Sequence, residues 1–248
     1  MKVPTPIVVA EALSKTLNLY DFRCKLAISI LTKKTRKCNT IAEHINLAFK
    51  VFKNAPFRYI GWPLNPNQIP AEIEALLTTL AERKVHTMLE IGTQAGGSLY
   101  LFTQVLAPNA IIVSLDLFGG PQGSGYPPYK KMFYSNFGRE KRIFLIQADS
   151  HKKTSLETVK SILKGQKLDF LFIDGDHTYE GVKMDFQMYS PLVRKGGLIA
   201  FHDICCEGPP KTIAEVNKFW REIKCAYTHQ EIINSPYQKA FGIGLLCT

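Results

Sequence analysis

The sequence predicts a doubly wound α/β fold with a mostly parallel sheet, and three observations carry that expectation. From Thr87 onward, short apolar runs alternate with helix-like segments, at 87–91, 111–115, 143–147, 170–173, 198–201 and 242–246. The runs are apolar throughout rather than alternating, the pattern of strands buried on both faces beneath crossover helices. The first run discharges into a glycine-rich turn, the place where open α/β sheets face their ligands. Strand–helix alternation repeated this often specifies a layered architecture with helices on both faces of one sheet.

The elements follow in order. Residues 8–20, 22–34 and 40–53 carry helical apolar spacing, as in Ile41, Ile45, Ala48 and Phe49, with 33–37 read as a connection. Pro56, Gly61, Pro63, Pro66 and Pro70 then break the pattern and mark a linker or surface loop. The 71–77 stretch after Pro70 is an amphipathic helix with proline and acids at its start. Helices are expected again at 99–106, 152–164 and 219–224, and a long loop at 118–134. The expected organisation is a basic helical extension over 1–60 and one α/β domain over 61–248.

Composition narrows the class. An apolar fraction of 46% suits a globular chain with a full core. No apolar run approaches the ~18 residues that cross a bilayer, and the opening Met1–Pro6 shows no secretory pattern. The six cysteines show no CxxC spacing, and free thiols in a reducing cytoplasm are expected. The net charge of +10 is concentrated in residues 1–60, where eleven Lys and Arg face three acids. Such a segment is either a solvated helical face or a patch for an anionic partner, and no aromatic-interleaved nucleic-acid motif accompanies it.

The richest chemistry begins at the first turn, Glu90-Ile91-Gly92-Thr93-Gln94-Ala95-Gly96-Gly97-Ser98. Glycines let the chain turn sharply and let a ligand lie on the main chain. The next strand ends in Asp116, 24 positions after Gly92, close to the ~20-residue offset of an acid that grips ribose hydroxyls. A dinucleotide site expects G-x-G-x-x-G, whereas the spacing here is G-x-x-x-G-G behind an acid. That pattern resembles motif I of class I S-adenosylmethionine-dependent methyltransferases.

The resemblance runs from Gln68 to the C-terminus. It rests on Gln68-Ile69-Pro70-Ala71-Glu72, on 89–98, on Ile173-Asp174-Gly175-Asp176-His177-Thr178-Tyr179-Glu180-Gly181-Val182, and on Gly196-Gly197-Leu198-Ile199-Ala200-Phe201-His202-Asp203. The chain is similar to the small-molecule O-methyltransferase group, nearest to macrolide-sugar O-methyltransferases and the so-called cephalosporin hydroxylase proteins. The resemblance implies a Rossmann-like seven-stranded sheet with an antiparallel C-terminal strand. It also implies S-adenosyl-L-methionine as cofactor, held by Glu90, Gly92, Thr93, Gly96, Gly97, Ser98, Asp116 and Asp174. Asp149 and Ser150 would face the adenine edge, although the same pair also reads as a helix N-cap before 152–164.

The strands at 168–173 and 198–201 release Asp174, Asp176, His177, His202 and Asp203 toward one edge. If the strands are neighbours, all five groups crowd one site, and burying such polarity without a role is costly. Two mechanisms stand side by side. In one, a divalent cation, Mg or Mn, sits on Asp174, His202 and Asp203, aligned with the ligands of catechol-type and caffeoyl-CoA-type O-methyltransferases; there, His202 replaces a carboxylate and admits softer metals. In the other, His177 or His202 is a general base aided by a carboxylate such as Asp174.

The 118–134 loop, with Tyr126, Tyr129, Phe133 and Tyr134, is expected to close over the acceptor as a lid with aromatic walls. The expected partner is a small molecule bearing a hydroxyl, of sugar, polyketide or phenolic type, and a homo-oligomer is compatible with the sequence. The rivals are a nucleic-acid methyltransferase, a NAD-dependent oxidoreductase and a catalytically silent protein of the same fold. The first lacks the N/D-P-P-Y/F tetrapeptide after the fourth strand, and the glycine spacing opposes the second.

Overall fold

The computed structural model describes residues 19–54, 56–119, 125–138, 140–206 and 215–248. Seven strands form one sheet: β1 (Thr87–Ile91), β2 (Ile111–Asp116), β3 (Arg142–Gln147), β4 (Leu168–Ile173), β5 (Val193–His202), β6 (Thr228–Ile232) and β7 (Ile243–Cys247). Their order is β3-β2-β1-β4-β5-β7-β6. The pairs β1–β2, β1–β4, β2–β3 and β4–β5 are parallel, whereas β7 runs antiparallel to both β5 and β6. This is the Rossmann-like sheet the sequence predicts. The strand order reverses between β1 and β4, so a crevice opens beyond their carboxyl ends.

Side chains alternate across the strands and divide the core in two. Met88, Ile112, Phe170, Phe172, Leu198 and Ala200 face one layer, while Leu89, Ile91, Val113, Leu171, Ile173 and Phe201 face the other. The first layer contains α1 (Leu19–Thr35), α2 (Ile41–Lys50), α3 (Pro70–Arg83) and α4 (Gly97–Val105). Cys24, Ala27, Leu31, Ile45 and Ala48 of α1 and α2 belong to the same apolar cluster as Leu76, Leu80 and the sheet. The second layer is formed by α6 (Lys153–Leu163), α7 (Tyr179–Tyr189) and α8 (Val216–Ile223).

Several boundaries differ from the sequence expectation. Helix α1 runs to Thr35, through the lysines read as a connection, because burial of Cys24, Ala27 and Leu31 on one face outweighs the local charge. The helix expected at 8–20 lies outside the described residues up to position 18. Helix α2 opens on a capping box, in which the Glu43 amide donates to Thr40 Oγ1 (3.2 Å) and the Thr40 amide to Glu43 Oε2 (3.1 Å). The proline-rich linker is ordered over 61–68, with Trp62, Leu64, Pro66 and Gln68 buried and the intervening residues exposed. This segment, with Asn65 (φ +33°) and Asn67 (φ +53°) in the left-handed region, lies across the start of α4.

The loop after β2 also differs from an open lid. Residues 120–124 lie outside the described part, but Tyr126, Phe133 and Tyr134 are fully buried, the last two on a short helix, α5 (Lys131–Tyr134). Phe133 packs edge-on against Phe52 and Phe137, and Tyr134 against Tyr126. Three of the four aromatics expected to line a pocket are therefore core residues, because their burial stabilises more than exposure to a crevice would.

One buried acid ties α3 to the loop before β7. Glu72 is 1% exposed and accepts from the Asn234 amide (3.0 Å), Gln238 Nε2 (2.6 Å) and the Gly242 amide (3.0 Å). Its removal leaves buried donors without an acceptor. Glu72→Ala is expected to destabilise the fold by roughly 2–4 kcal/mol, read as a lower urea midpoint with an unchanged slope.

Candidate functional site

The first turn is fitted to the end of β4. Gly92 adopts φ +93°, and a Cβ there would lie 2.0 Å from the Asp174 carbonyl oxygen. The Asp174 amide donates to Ile91 O (2.9 Å) and the Gly92 amide to Leu115 O (2.9 Å), so three strand ends are locked together at this point. The other two glycines admit protein chain. A Cβ on Gly97 would lie 2.5 Å from Pro66 Cα, and one on Gly96 would lie 2.8 Å from the Tyr134 ring. Gly96 and Gly97, expected at a cofactor, are here contacts for the 61–68 segment and for Tyr134, whose hydroxyl also donates to Gln94 O (3.0 Å).

Beneath the turn lies a closed polar network. Glu90 is fully buried and accepts from Ser98 Oγ (2.6 Å) and Ser114 Oγ (3.1 Å), and Ser114 in turn pairs with the Thr93 hydroxyl. Burial pushes the Glu90 carboxyl up to about 8, against the opposing pull of the two serine hydroxyls. Asp116 stands one strand away. Its Oδ2 accepts from the Thr93 (3.1 Å) and Gln94 (2.7 Å) amides, and its Oδ1 from the Leu117 amide (2.7 Å). Burial raises Asp116, and the three amides hold it back. A carboxylate offers about four lone-pair positions, so one position on Oδ1 has no protein partner among the described residues.

The turn after β3 carries Asp149 and Ser150. Asp149 Oδ1 accepts from the His151 amide (2.9 Å), and the Ser150 carbonyl accepts from the Tyr189 hydroxyl (2.7 Å). Neither residue caps the next helix, since α6 starts at Lys153 with Lys152 at its cap position.

Four of the five groups released by β4 and β5 meet; the fifth does not. His177 Nε2 lies 3.2 Å from Asp174 Oδ1 and 3.4 Å from Asp203 Oδ2. His202 Nδ1 lies 3.1 Å from Asp174 Oδ1 and 3.5 Å from Asp203 Oδ1. Asp176 turns away, accepts from the Thr178 amide (2.9 Å) and sits against Gly181 at the start of α7. Ligand atoms of Asp174, His177 and Asp203 all lie within 4.8 Å of one another. His177 is 42% exposed and His202 only 2%, so the imidazole that faces the crevice is His177, with His202 behind the carboxylates.

The charges explain the titration. The hydrogen bond with Asp174 raises His177 to about 9, in spite of its burial. Burial alone would raise Asp174, but His202 and His177 together hold it well below the usual carboxylate range. Burial would lower His202, and Asp174 with Asp203 reverses that. The sequence reading assigned no role to Gln68. Its Nε2 donates to Asp174 Oδ2 (3.3 Å), while its Oε1 and His202 Nε2 are buried without a hydrogen-bond partner among the described residues. The alternating apolar pattern of 61–68, which places Gln68 on the inward side, was the available signal.

Residues 89–204 match a family described as a methyltransferase domain. Among solved structures, an O-methyltransferase from Bacillus cereus in complex with S-adenosylhomocysteine superposes with a TM-score of 0.52 at 14% identity, covering 97% of each chain. An O-methyltransferase from Streptomyces achromogenes, involved in tomaymycin synthesis and in complex with S-adenosylmethionine, gives 0.54 at 15% identity, covering 86% of this chain and 91% of that one. At such identities the likeness is one of fold.

In sequence, an uncharacterized protein of Acanthamoeba polyphaga mimivirus is 31% identical over 153 residues, 61% of this chain and 66% of that one. An uncharacterized protein of Sinorhizobium fredii is 25% identical over 175 residues, 68% of this chain but 18% of that one. The chain thus spans less than two thirds of the length of either relative. No described helix is long and apolar enough to cross a membrane.

The Glu90 network makes stability depend on pH. In the unfolded chain this carboxyl ionises near 4.5, and in the folded chain near 8. Between those values the folded state binds the extra proton, so its contribution to stability falls as pH rises. Glu90→Gln has no such window. Its melting temperature relative to the unmodified protein is expected to rise by roughly 5 °C or more from pH 5 to pH 8, measured by calorimetry at matched ionic strength.

Proposed function

We propose that this protein transfers a methyl group from S-adenosylmethionine to a hydroxyl of a small molecule, with a divalent cation held beside the reacting oxygen. One observation carries the reading: Asp174 belongs to two sites at once. Its carbonyl oxygen packs on Gly92 in the nucleoside crevice, and its carboxylate joins His177 and Asp203. A nucleoside cofactor in the first would therefore lie next to a hydroxyl held at the second.

The crevice suits the cofactor. Asp116 would accept a ribose hydroxyl at its remaining Oδ1 position, and the Asp149 carboxylate would accept the exocyclic amine of an adenine edge. No pyrophosphate cradle is required for a sulfonium nucleoside. The cluster suits a cation as well, because two carboxylates and one imidazole favour Mn, with Mg as the harder alternative. Asp174, His177 and Asp203 would hold it. His202, expected as a ligand, touches both carboxylates from behind and orients them.

When bound, the cofactor supplies an electrophilic methyl on sulfur, and the cation lowers the pKa of the acceptor hydroxyl. The chain positions the two reactants, which supplies much of the rate in such a transfer. In the transfer the acceptor oxygen would take the methyl as the carbon–sulfur bond breaks, and the hydroxyl proton would leave to solvent. Without a cation, His177 would have to be the base in its neutral form. The hydrogen bond with Asp174 raises His177 to about 9, so it must lose a proton before it acts either as a base or as a cation ligand.

Two measurements test this reading. Calorimetry should detect S-adenosylhomocysteine binding that Asp116→Asn weakens at least about tenfold, because the amide nitrogen cannot accept; nicotinamide dinucleotides should give no heat. Paramagnetic resonance should detect Mn binding that Asp203→Asn weakens by about 10–100-fold, and chelation should abolish turnover of a hydroxyl acceptor. Turnover that survives exhaustive chelation and rises up to pH 9 would transfer the role to His177 as base.

A further inference from the structure

The excess positive charge of the chain lies far from its acids at β4 and β5. Residues 19–60 hold nine Lys and Arg against two acids. Both acids are engaged locally. Asp21 Oδ2 pairs with Lys25 Nζ (2.6 Å), and Glu43 Oε2 accepts the Asn39 (2.6 Å) and Thr40 (3.1 Å) amides. The remaining cations of α1 and of the turn after it therefore meet little opposing charge.

Helix α1 has two unlike faces. Cys24, Ala27 and Leu31 are buried in the core. Phe22, Leu26, Ser29 and Lys33, at the i, i+4, i+7, i+11 spacing of one helical stripe, are exposed. Phe22 is 66% and Leu26 37% exposed, and Arg36 and Lys37, also exposed, follow the stripe at its end. The 3₁₀ turn Phe57–Tyr59 lies along the same helix. Arg23 Nε donates to Ile60 O (3.0 Å), and the Lys34 ammonium stands 5.1 Å from the Phe57 ring centre. This turn adds Phe57 at 39% and Tyr59 at 61% exposure, with the Arg58 guanidinium 5.0 Å from the Tyr59 ring centre. Four of the ten large apolar side chains exposed among the described residues thus stand in one basic region.

We infer that this face docks on an anionic lipid bilayer. Apolar side chains set among cations are complemented by a partner that is negative and apolar at once. A bilayer with anionic headgroups is such a partner. The lysines and arginines lie against the headgroup layer, Phe22 and Leu26 enter the acyl boundary, and Tyr59 sits at the interface where aromatic rings settle. Duplex nucleic acid would use the cations alone, and a single strand would stack on the rings but leave Leu26 in water. A second copy of this chain would bring the same positive charge to the face. Docking of this kind is independent of methyl transfer, because no residue of the face belongs to the first turn or to the acid–imidazole cluster.

The test sediments the full chain with vesicles of phosphatidylcholine alone and of phosphatidylcholine mixed with phosphatidylglycerol. Binding to the mixed vesicles should be at least about tenfold tighter and should weaken as salt is raised. Phe22→Ser combined with Leu26→Ser should weaken it at least about tenfold, and Lys33→Glu combined with Lys37→Glu at least as much. All four side chains are exposed, so both double variants should melt where the unmodified protein does. Equal binding to the two vesicle types, or none, overturns the docking without any variant. Loss with the lysine pair but not with the apolar pair reduces the contact to charge and overturns insertion. An RNA mobility shift that the lysine pair abolishes, with no vesicle binding, reassigns the face to nucleic acid. Self-association that the apolar pair abolishes, again with no vesicle binding, reassigns it to a second copy.

Discussion

The contact between Gly92 and the Asp174 carbonyl is the constraint on which the rest of the site depends. It exists because β1 and β4 are adjacent and parallel in register, Ile91 beside Ile173, and because the residue after β1 has no side chain. Only then can the two strand ends approach within hydrogen-bonding distance, as the Asp174 amide does on Ile91 O. The approach brings the first turn and the acid–imidazole cluster together around one residue. Any larger residue at position 92 would separate the two halves of the site by pushing β4 away, with the Asp174 carboxylate moving along with its backbone.

The cluster illustrates how a sheet can hold charge at its edge. Asp174 alone would be an expensive group to bury. Two imidazoles and the Gln68 amide converge on it from three different segments, β5, the turn after β4 and the ordered linker. His202 is the last residue of its strand and is fixed by the ladder with β7, where it pairs with Ile243. His177 is on a turn and faces outward. The rigid imidazole therefore sets the carboxylates and the more exposed one is available to a ligand, a division of labour that follows from strand against turn.

Much of this was legible in the sequence because the strands are continuous apolar runs. Their alternation with helices gave the layers, and the offset from Gly92 to Asp116 pointed to the acid that meets the first turn. What could not be read was how the second glycine pair is used. Gly96 and Gly97 are identical, as letters, to residues that face a cofactor, yet their open faces are filled by Tyr134 and Pro66. Likewise the 118–134 segment has the glycine and proline content of a lid, but Tyr126, Phe133 and Tyr134 bury too much apolar surface to stay outside. The choice of His177 over His202 toward the crevice depended on exposure, which spacing does not encode, and Asp176 was lost to a local turn with Thr178.

The two halves of the molecule approach the site by different physics. From the second layer, α7 reaches the turn after β3 through polar contacts, the Gly181–Asp185–Tyr189 stripe on His151 and Ser150. From the first layer, α4 and the 61–68 segment reach it through close packing of Pro66 on Gly97 and one hydrogen bond, from Gln68 to Asp174. Polar contacts of the first kind are directional and fix the turn after β3. Packing of the second kind is shaped by the linker and the helices behind it, which share one apolar cluster with the sheet. Substitutions in that linker alter the wall beside Asp174 while the sheet and its first turn stay as they are. The first turn is thus fixed by the strand ends, and the wall beside Asp174 is the one that sequence change in residues 61–68 can reshape.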